Sequence, residues 1–375
     1  MRILIDGRTI GDKPSGVGMY GYNFAKGLLG TLEKLELYIV TDIAESPQIL
    51  ELQREGAQLV IYGTKVAKNL ALRKYFRYVQ SIIYEIKPDF FWEINNLFPI
   101  KLVNPYGKIM TTVHDVFPYT MPECFGKIYP YYFKYGIRNM LQYTDAILYD
   151  SLETKKQLEH FEKAAIDKIN MVLYVMLTEK ESKTNIESEG QLPFYFYIGN
   201  LEKRKGSDVL LKGYEKYRVI GGKKQLRYGG KVREDDIGYM MKQLEEKDIG
   251  AHYIGYISSE EKEQYYAEAD GFLFPSRAEG FGMPALEALE YNCPVLVSDL
   301  SIFDEILGGA VERFEFSDSR DESAQALAEK MIELDAAGKC TLQQKHQDAV
   351  AEQLEKYKPE ALIPQLIDFM KKLGD

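Results

Sequence analysis

The sequence predicts an α/β protein of two domains, each built on a parallel sheet, and three observations carry that prediction. The chain has 375 residues, and about 150 residues make an average domain. Short β-branched or apolar runs alternate with longer helical patterns along most of the chain, as βαβ units require. One polar segment, Thr178 to Gln191, interrupts that alternation.

Taken in order, the first half offers candidate strands at Arg2 to Asp6, Leu35 to Thr41, Ala57 to Tyr62, Asp89 to Glu93, Lys108 to His114, Asp145 to Tyr149 and Ile169 to Tyr174. The interruption, TEKESKTNIESEGQ, is charged and nearly free of apolar residues, so it predicts a surface linker. Strands restart at Pro193 to Gly199 and continue at Gln225 to Gly229, Ala251 to Ile257, Gly271 to Pro275, Pro294 to Ser298 and Val311 to Phe314. From about Asp321 the pattern is helical only, and Pro359 parts the last helix from its predecessor.

Composition narrows the function classes. With 45% hydrophobic and 28% charged residues, the chain is neither disordered nor a membrane bundle. No stretch approaches the ~20 apolar residues of a spanning helix. The opening Met1-Arg2-Ile3-Leu4-Ile5-Asp6 meets an acid before a signal-peptide core could form, so a cytoplasmic location is expected. Cys124, Cys293 and Cys340 form no CxxC or Cys/His cluster, which argues against disulfides and structural zinc and predicts reduced, mostly buried thiols.

A net charge of -10 speaks against a nucleic-acid partner. The charge is uneven: residues 1 to 170 carry 21 Lys+Arg against 19 Asp+Glu, so they are +2 and the remainder -12. Much of the excess lies in one predicted helix, with Lys65, Lys68, Arg73, Lys74, Arg77 and Lys87 offset only by Glu85. A solvated helix face explains such a run. An anionic membrane surface explains it too, together with the aromatic stretch Phe125 to Tyr135 and Lys127, Lys134 and Arg138.

The most informative segment is FLFPSRAEGFGMPALEALEYNCPVLVSD, Phe272 to Asp299. A buried strand ends at Pro275, a loop carries Glu279 and Gly280-Phe281-Gly282, and Pro284 opens a helix as a favoured first-position residue. Loop amides and a positive helix end thus face the carboxyl edge of a parallel sheet, where a phosphate binds. Glu279 and Glu287 flank that place eight positions apart. Acids beside an anion site repel the anion unless they grip neutral hydroxyls, so a ligand with both phosphate and sugar is expected.

EGFGMPALE, with its two glutamates eight positions apart, resembles the signature of the retaining glycosyltransferases of family GT4, which have the GT-B fold. The resemblance continues through PSGVGMY, TVHDVFPYTMPECF, YDSLETKKQLEHF, YIGNLEKRKG and GYISSEEKEQYYAEADGFLFPS. It implies two Rossmann-like α/β/α domains facing each other across a cleft. Residues 1–177 with the terminal helix 359–375 would bind the acceptor, and residues 192–358 the nucleotide-sugar donor.

By the same resemblance Glu287 would hold the ribose and Glu279 the donor sugar, while the amides of Phe281, Gly282 and Met283 would touch the diphosphate or sugar. Lys205 matches the family's lysine on the leaving group. Asn200 stands where an arginine is common, which leaves Arg204 to substitute. The backbone at Tyr256 would meet the base, and His114 would approach the donor sugar and matter for transfer. Gly16 and Val17 open a Gly-rich loop whose amides would reach the distal phosphate. Gly16 to Gly21 is formally GxGxxG, with Asp42 near the end of the second strand, and this supports an NAD-dependent oxidoreductase as an alternative. Nine residues separate the first strand from Gly16, however, whereas that fingerprint turns at once.

The chemistry implied is metal-independent hexosyl transfer with retention, catalysed by His114, Lys205 and Glu279. No Asp-x-Asp pair ends a strand and no cofactor is implied. The partners would be a nucleoside-diphosphate sugar and a glycan or lipid-linked glycan acceptor in cell-surface polysaccharide biosynthesis, with the enzyme peripheral on the inner face of the membrane. HDVFPYTMPECF and GNLEKRK look like the mannosyltransferase-like branch, which puts GDP-mannose ahead of UDP-hexoses and dTDP-rhamnose. A catalytically silent GT-B partner subunit is the other alternative, and the joint presence of His114, Lys205, Glu279 and Glu287 counts against it.

Overall fold

The computed structural model describes residues 1–11, 16–42, 44–66, 70–177 and 192–375. The expected linker Thr178 to Gln191, Lys68, and Pro14 and Ser15 of PSGVGMY lie outside the described residues. Two compact units emerge: residues 1–178 with 357–375, and residues 179–356.

In the first unit the described strands are β1 (Arg2–Asp6), β2 (Glu36–Thr41), β3 (Gln58–Ile61), β4 (Phe90–Glu93), β5 (Lys108–Val113), β6 (Ala146–Tyr149) and β7 (Ile169–Val172). They pair in parallel in the order β3-β2-β1-β4-β5-β6-β7. RILID and FFWE are nearly continuous apolar runs because helices cover both faces of such a sheet. The helix Gly16–Thr31 packs against the terminal helix Pro359–Gly374, where Ile363 lies against Gly27. Each strand found lies within the run the sequence offered for it.

The second unit repeats the plan with β8 (Phe194–Ile198), β9 (Gln225–Gly229), β10 (Ala251–Gly255), β11 (Gly271–Phe274), β12 (Val295–Ser298) and β13 (Glu312–Phe314). All pair in parallel in the order β10-β9-β8-β11-β12-β13. Both sheets are therefore doubly wound. In each, the strand order reverses between the first and fourth strands, β1/β4 and β8/β11, and ligands of such sheets bind at the carboxyl edge of that reversal. The helices Arg320–Ala337 and Lys339–Lys356 complete the unit.

Three local expectations are corrected. The basic segment is helical only over Leu70–Ile86, so Lys65 precedes the helix and Lys87 follows it with φ of 55°. Pro284 is the second residue of its helix, Met283–Glu290, because Gly282 caps it. Of the cysteines only Cys293 is buried. Cys124 sits in a turn of exposed and half-exposed residues, Pro122–Phe125, and Cys340 lies at the exposed start of a helix.

Candidate active site

The reversal point of the second sheet gathers most of the residues singled out by sequence. After β8 the chain makes a turn at Lys203–Lys205 and enters the helix Ser207–Val219 through Gly206. Gly206 has φ of 66°, and a Cβ there would stand 1.7 Å from the Pro275 carbonyl oxygen, so a side chain at this position would part the two loops. The Arg277 amide donates to the Arg204 carbonyl at 2.9 Å, and the Arg204 guanidinium donates to the Ala278 carbonyl at 3.2 Å. The turn after β8 and the loop after β11 are thus stitched into one surface.

On that surface the Lys205 ammonium donates to both oxygens of Glu279, at 2.7 and 2.6 Å. Ser276 Oγ, fully buried, adds a 2.5 Å hydrogen bond to Glu279 Oε1 and so fixes the carboxylate. Glu279 is 8% exposed, so its charge is held in a largely desolvated place by a cation and a hydroxyl. Lys205 also lies 5.6 Å from the centre of the Phe274 ring.

Glu287 stands in the next helix, Met283–Glu290. Its Oε2 accepts from Lys262 Nζ at 2.7 Å and from the Tyr266 hydroxyl at 3.2 Å. Each acid of the pair therefore has its own lysine, which answers the repulsion expected when two carboxylates border an anion site. Arg204, expected to replace the absent arginine, gives its charge to Glu202 at 2.6 Å. Asn200 accepts from the Tyr197 hydroxyl through its carbonyl at 3.1 Å. Tyr256, just beyond β10, is 82% exposed.

His114 belongs to the first unit, at the exit of β5, and is 6% exposed. Its Nε2 lies 2.9 Å from the Ile94 carbonyl and its Nδ1 3.3 Å from Asp150 Oδ2, while Tyr20 meets the ring edge-on at 4.9 Å. A carbonyl only accepts, so Nε2 carries a proton. Burial acts to lower the imidazole pKa, but the hydrogen bond and charge of Asp150 outweigh it and raise the value. Burial lifts Asp150 to about 6 against the pull of His114. Both ring nitrogens are thus engaged within the unit, and the sugar contact expected of His114 needs one of them released.

The same edge holds a cluster that the sequence reading missed. Asp6 ends β1 and Glu93 ends β4, both at the reversal point, and Arg8 Nη2 lies 2.6 Å from Asp6 and 3.4 Å from Glu93. The guanidinium rests over the Tyr75 and Phe76 rings, 4.8 Å from each centre, and the Tyr75 hydroxyl donates to Asp6 at 2.7 Å. Burial and the neighbouring Asp6 charge push the Glu93 carboxyl well above its ordinary range. Burial also opposes ionisation of Asp6, but Arg8 overcomes it and holds that carboxyl low. The signal was an acid closing each of two otherwise apolar strands.

The Gly-rich segment begins its helix at Gly16, with nine residues between it and the end of β1. Asp42, the acid that favoured an oxidoreductase, accepts the Val66 amide at 2.6 Å. Among the described residues no three His, Cys, Asp or Glu side chains gather as a metal site.

Residues 178–353 match the glycosyl transferases group 1 family. O-antigen chain mannosyltransferase B of Escherichia coli is 26% identical over 216 residues, covering 54% of this chain and 56% of the relative. O-antigen chain mannosyltransferase RfbU of Salmonella typhimurium is 26% identical over 200 residues, 52% of this chain and 53% of the relative. The chain thus spans about half the length of the curated relatives it matches. Anabaena HepE, solved in complex with UDP and glucose, superposes with a TM-score of 0.71 at 14% identity, over 99% of this chain and all of HepE. The fold of both units is therefore GT-B, and residues 178–353, just under half of the chain, are similar to the group 1 glycosyl transferases.

Proposed function

We propose that the protein is a retaining glycosyltransferase that moves a hexosyl group, with mannose from GDP-mannose as the first donor to test, to a glycan or lipid-linked glycan in cell-surface polysaccharide biosynthesis. The observation that carries this reading is the Lys205–Glu279 pair at the reversal point of the second sheet, with Glu287 one helix turn beyond the loop. In the proposed reaction the bond from the anomeric carbon to the phosphate oxygen breaks, and a bond to the acceptor oxygen forms on the same face. The acceptor's proton passes to the leaving phosphate. Negative charge grows on that phosphate, and fixed donors aimed at growing charge supply the largest rate effect. Lys205 is the donor we assign to it. Glu279 grips sugar hydroxyls and Glu287 the ribose; no metal takes part.

The test is a panel of nucleotide-sugars incubated with EDTA-treated protein. Transfer with retained configuration supports the reading, and activity only on adding a divalent ion removes the metal-free part. Glu287→Ala will weaken GDP or UDP binding about tenfold or more, since a hydrogen bond to a charged group contributes ~1.5–3 kcal/mol. His114→Ala will lower turnover with nucleotide affinity kept. Calorimetry with the free nucleotide separates the two, and unchanged affinity in Glu287→Ala overturns the ribose assignment.

We further propose that the first unit rests on an anionic membrane surface. Ile128 is 81% and Tyr131 77% exposed, Tyr129 and Tyr135 are exposed beside them, and Lys127, Lys134 and Arg138 lie in the same segment. The charge of Arg73 acts on the Tyr132 hydroxyl, so the basic helix Leu70–Ile86 adjoins that aromatic segment. Arg73, Lys74 and Arg77 are all exposed. Each basic side chain near an anionic leaflet contributes ~1 kcal/mol, screened over ~10 Å at 0.1 M salt. Among the described residues no helix is long and apolar enough to cross a membrane. Cosedimentation with phosphatidylglycerol vesicles should fall at high salt and on changing Arg73, Lys74 and Arg77 to Glu. Wild-type protein that ignores these vesicles at low salt leaves only a solvated helix face.

A further inference from the structure

Lys262 has no part in the site as the sequence delineates it. It lies on the helix Ser259–Glu268, four residues before Tyr266, so the two side chains share one helix face. Both point at the same atom, Glu287 Oε2, across 25 and 21 residues of sequence. Glu287 Oε1 takes no hydrogen bond from any described residue.

The surroundings say why a cation is needed there. Tyr266 is fully buried, stacked on Tyr291 at 6.0 Å and met edge-on by Phe272 at 5.2 Å, so its hydroxyl is a rigid donor. The charge of Glu290 reaches Tyr266, and Tyr291 feels Glu263, Glu290 and Glu287 together. Glu287 thus stands among like charges, with Lys262 as the cation that contacts it at 2.7 Å. A carboxylate in that company without its lysine would turn away from the other acids toward water.

The helix start is also fixed. Ser258 accepts from the Glu261 amide and the Glu261 side chain accepts from the Ser258 amide, a reciprocal cap directly after Tyr256. One short helix therefore connects the exit of β10 to the orientation of Glu287.

We infer that Lys262, with Tyr266, is a positioning residue that holds Glu287 so that its Oε1 faces the ribose hydroxyls of a nucleoside diphosphate. The inference rests on the ribose role proposed for Glu287 and extends it to a residue that touches no nucleotide. Lys262 stands to Glu287 as Lys205 stands to Glu279. It differs in that it neutralises and orients the acid at a distance from the transferred group, so it governs nucleoside selection and not turnover.

The experiment compares GDP and UDP with their 2′,3′-dideoxy analogues by calorimetry in wild type, Glu287→Gln, Lys262→Met, Lys262→Arg and Tyr266→Phe. Wild type should prefer the ribonucleotide by about tenfold, the value of a hydrogen bond to a charged group. Glu287→Gln should lose most of that preference. Lys262→Met should reduce it to about threefold or less while affinity for the dideoxy analogue stays put, and Lys262→Arg should restore it, as a charge-assisted donor would. Tyr266→Phe should lie between. Unaltered dideoxy affinity certifies the fold, because a merely structural role would weaken both ligands alike. If wild type shows no ribose preference, or Glu287→Gln keeps it, the ribose reading and the inference fall together. If both behave as expected and Lys262→Met retains the full preference, the inference alone is overturned.

Discussion

Replacing Lys205 with alanine will lower transfer by about two to three orders of magnitude, the cost of removing one fixed donor from a developing oxyanion. The ammonium is the cation bonded to Glu279, and its side chain is 16% exposed, so the attraction it offers a phosphate is little weakened by water. A second effect must be separated from the first. Without the lysine, Glu279, with 5% of its side chain exposed, is left as an unpaired buried charge, which alone destabilises by about 3–5 kcal/mol. Adding Glu279→Gln in the same background removes that stranded charge. The double variant should regain thermal stability yet stay well below Glu279→Gln alone in turnover, whereas a purely structural role for Lys205 predicts equal turnover in those two variants. Full turnover in the single variant, measured with a donor that wild type uses, rules out the leaving-group assignment.

How much of this was legible depends on sequence distance. Strands such as FYFYI and GFLF declare themselves because both faces of a covered parallel sheet are buried, leaving no polar residue to confuse the pattern. Only their ends drift, since capping and turn geometry decide them. Glu279, Gly282 and Glu287 were readable because one loop and one helix hold all three. Lys205 required the YIGNLEKRKG resemblance, as its contact with Glu279 spans 74 residues. Lys262 and Tyr266 were not readable at all: a lysine at helix spacing among glutamates looks like a solvated face, and the contacts with Glu287 span 25 and 21 residues. His114 was read as a site residue, yet nothing in the sequence shows that Asp150 and the Ile94 carbonyl occupy its nitrogens. The cysteines went the other way, because the general preference of thiols for the interior was overridden by a short turn and a helix start facing solvent.

Arg8→Met will destabilise the first unit by about 3–5 kcal/mol, as expected when one partner of a buried ion pair is removed. The Asp6 and Glu93 side chains are both 0% exposed and meet only because β1 pairs with β4. Arg8 balances the one negative charge that the cluster keeps, for Glu93 is driven toward its neutral form while Asp6 stays ionised. The Met side chain fills similar volume against Tyr75 and Phe76, so the loss measured is mainly electrostatic. For a unit of this size each kcal/mol moves Tm by roughly 2–4 °C, which puts the expected fall near 10 °C. Asp6→Asn combined with Arg8→Met removes the stranded charge and should recover much of it, because a buried pair deleted whole costs far less than one deleted by half. A small fall in Arg8→Met, with no recovery in the double variant, would mean that water reaches the cluster and that the pair contributes little.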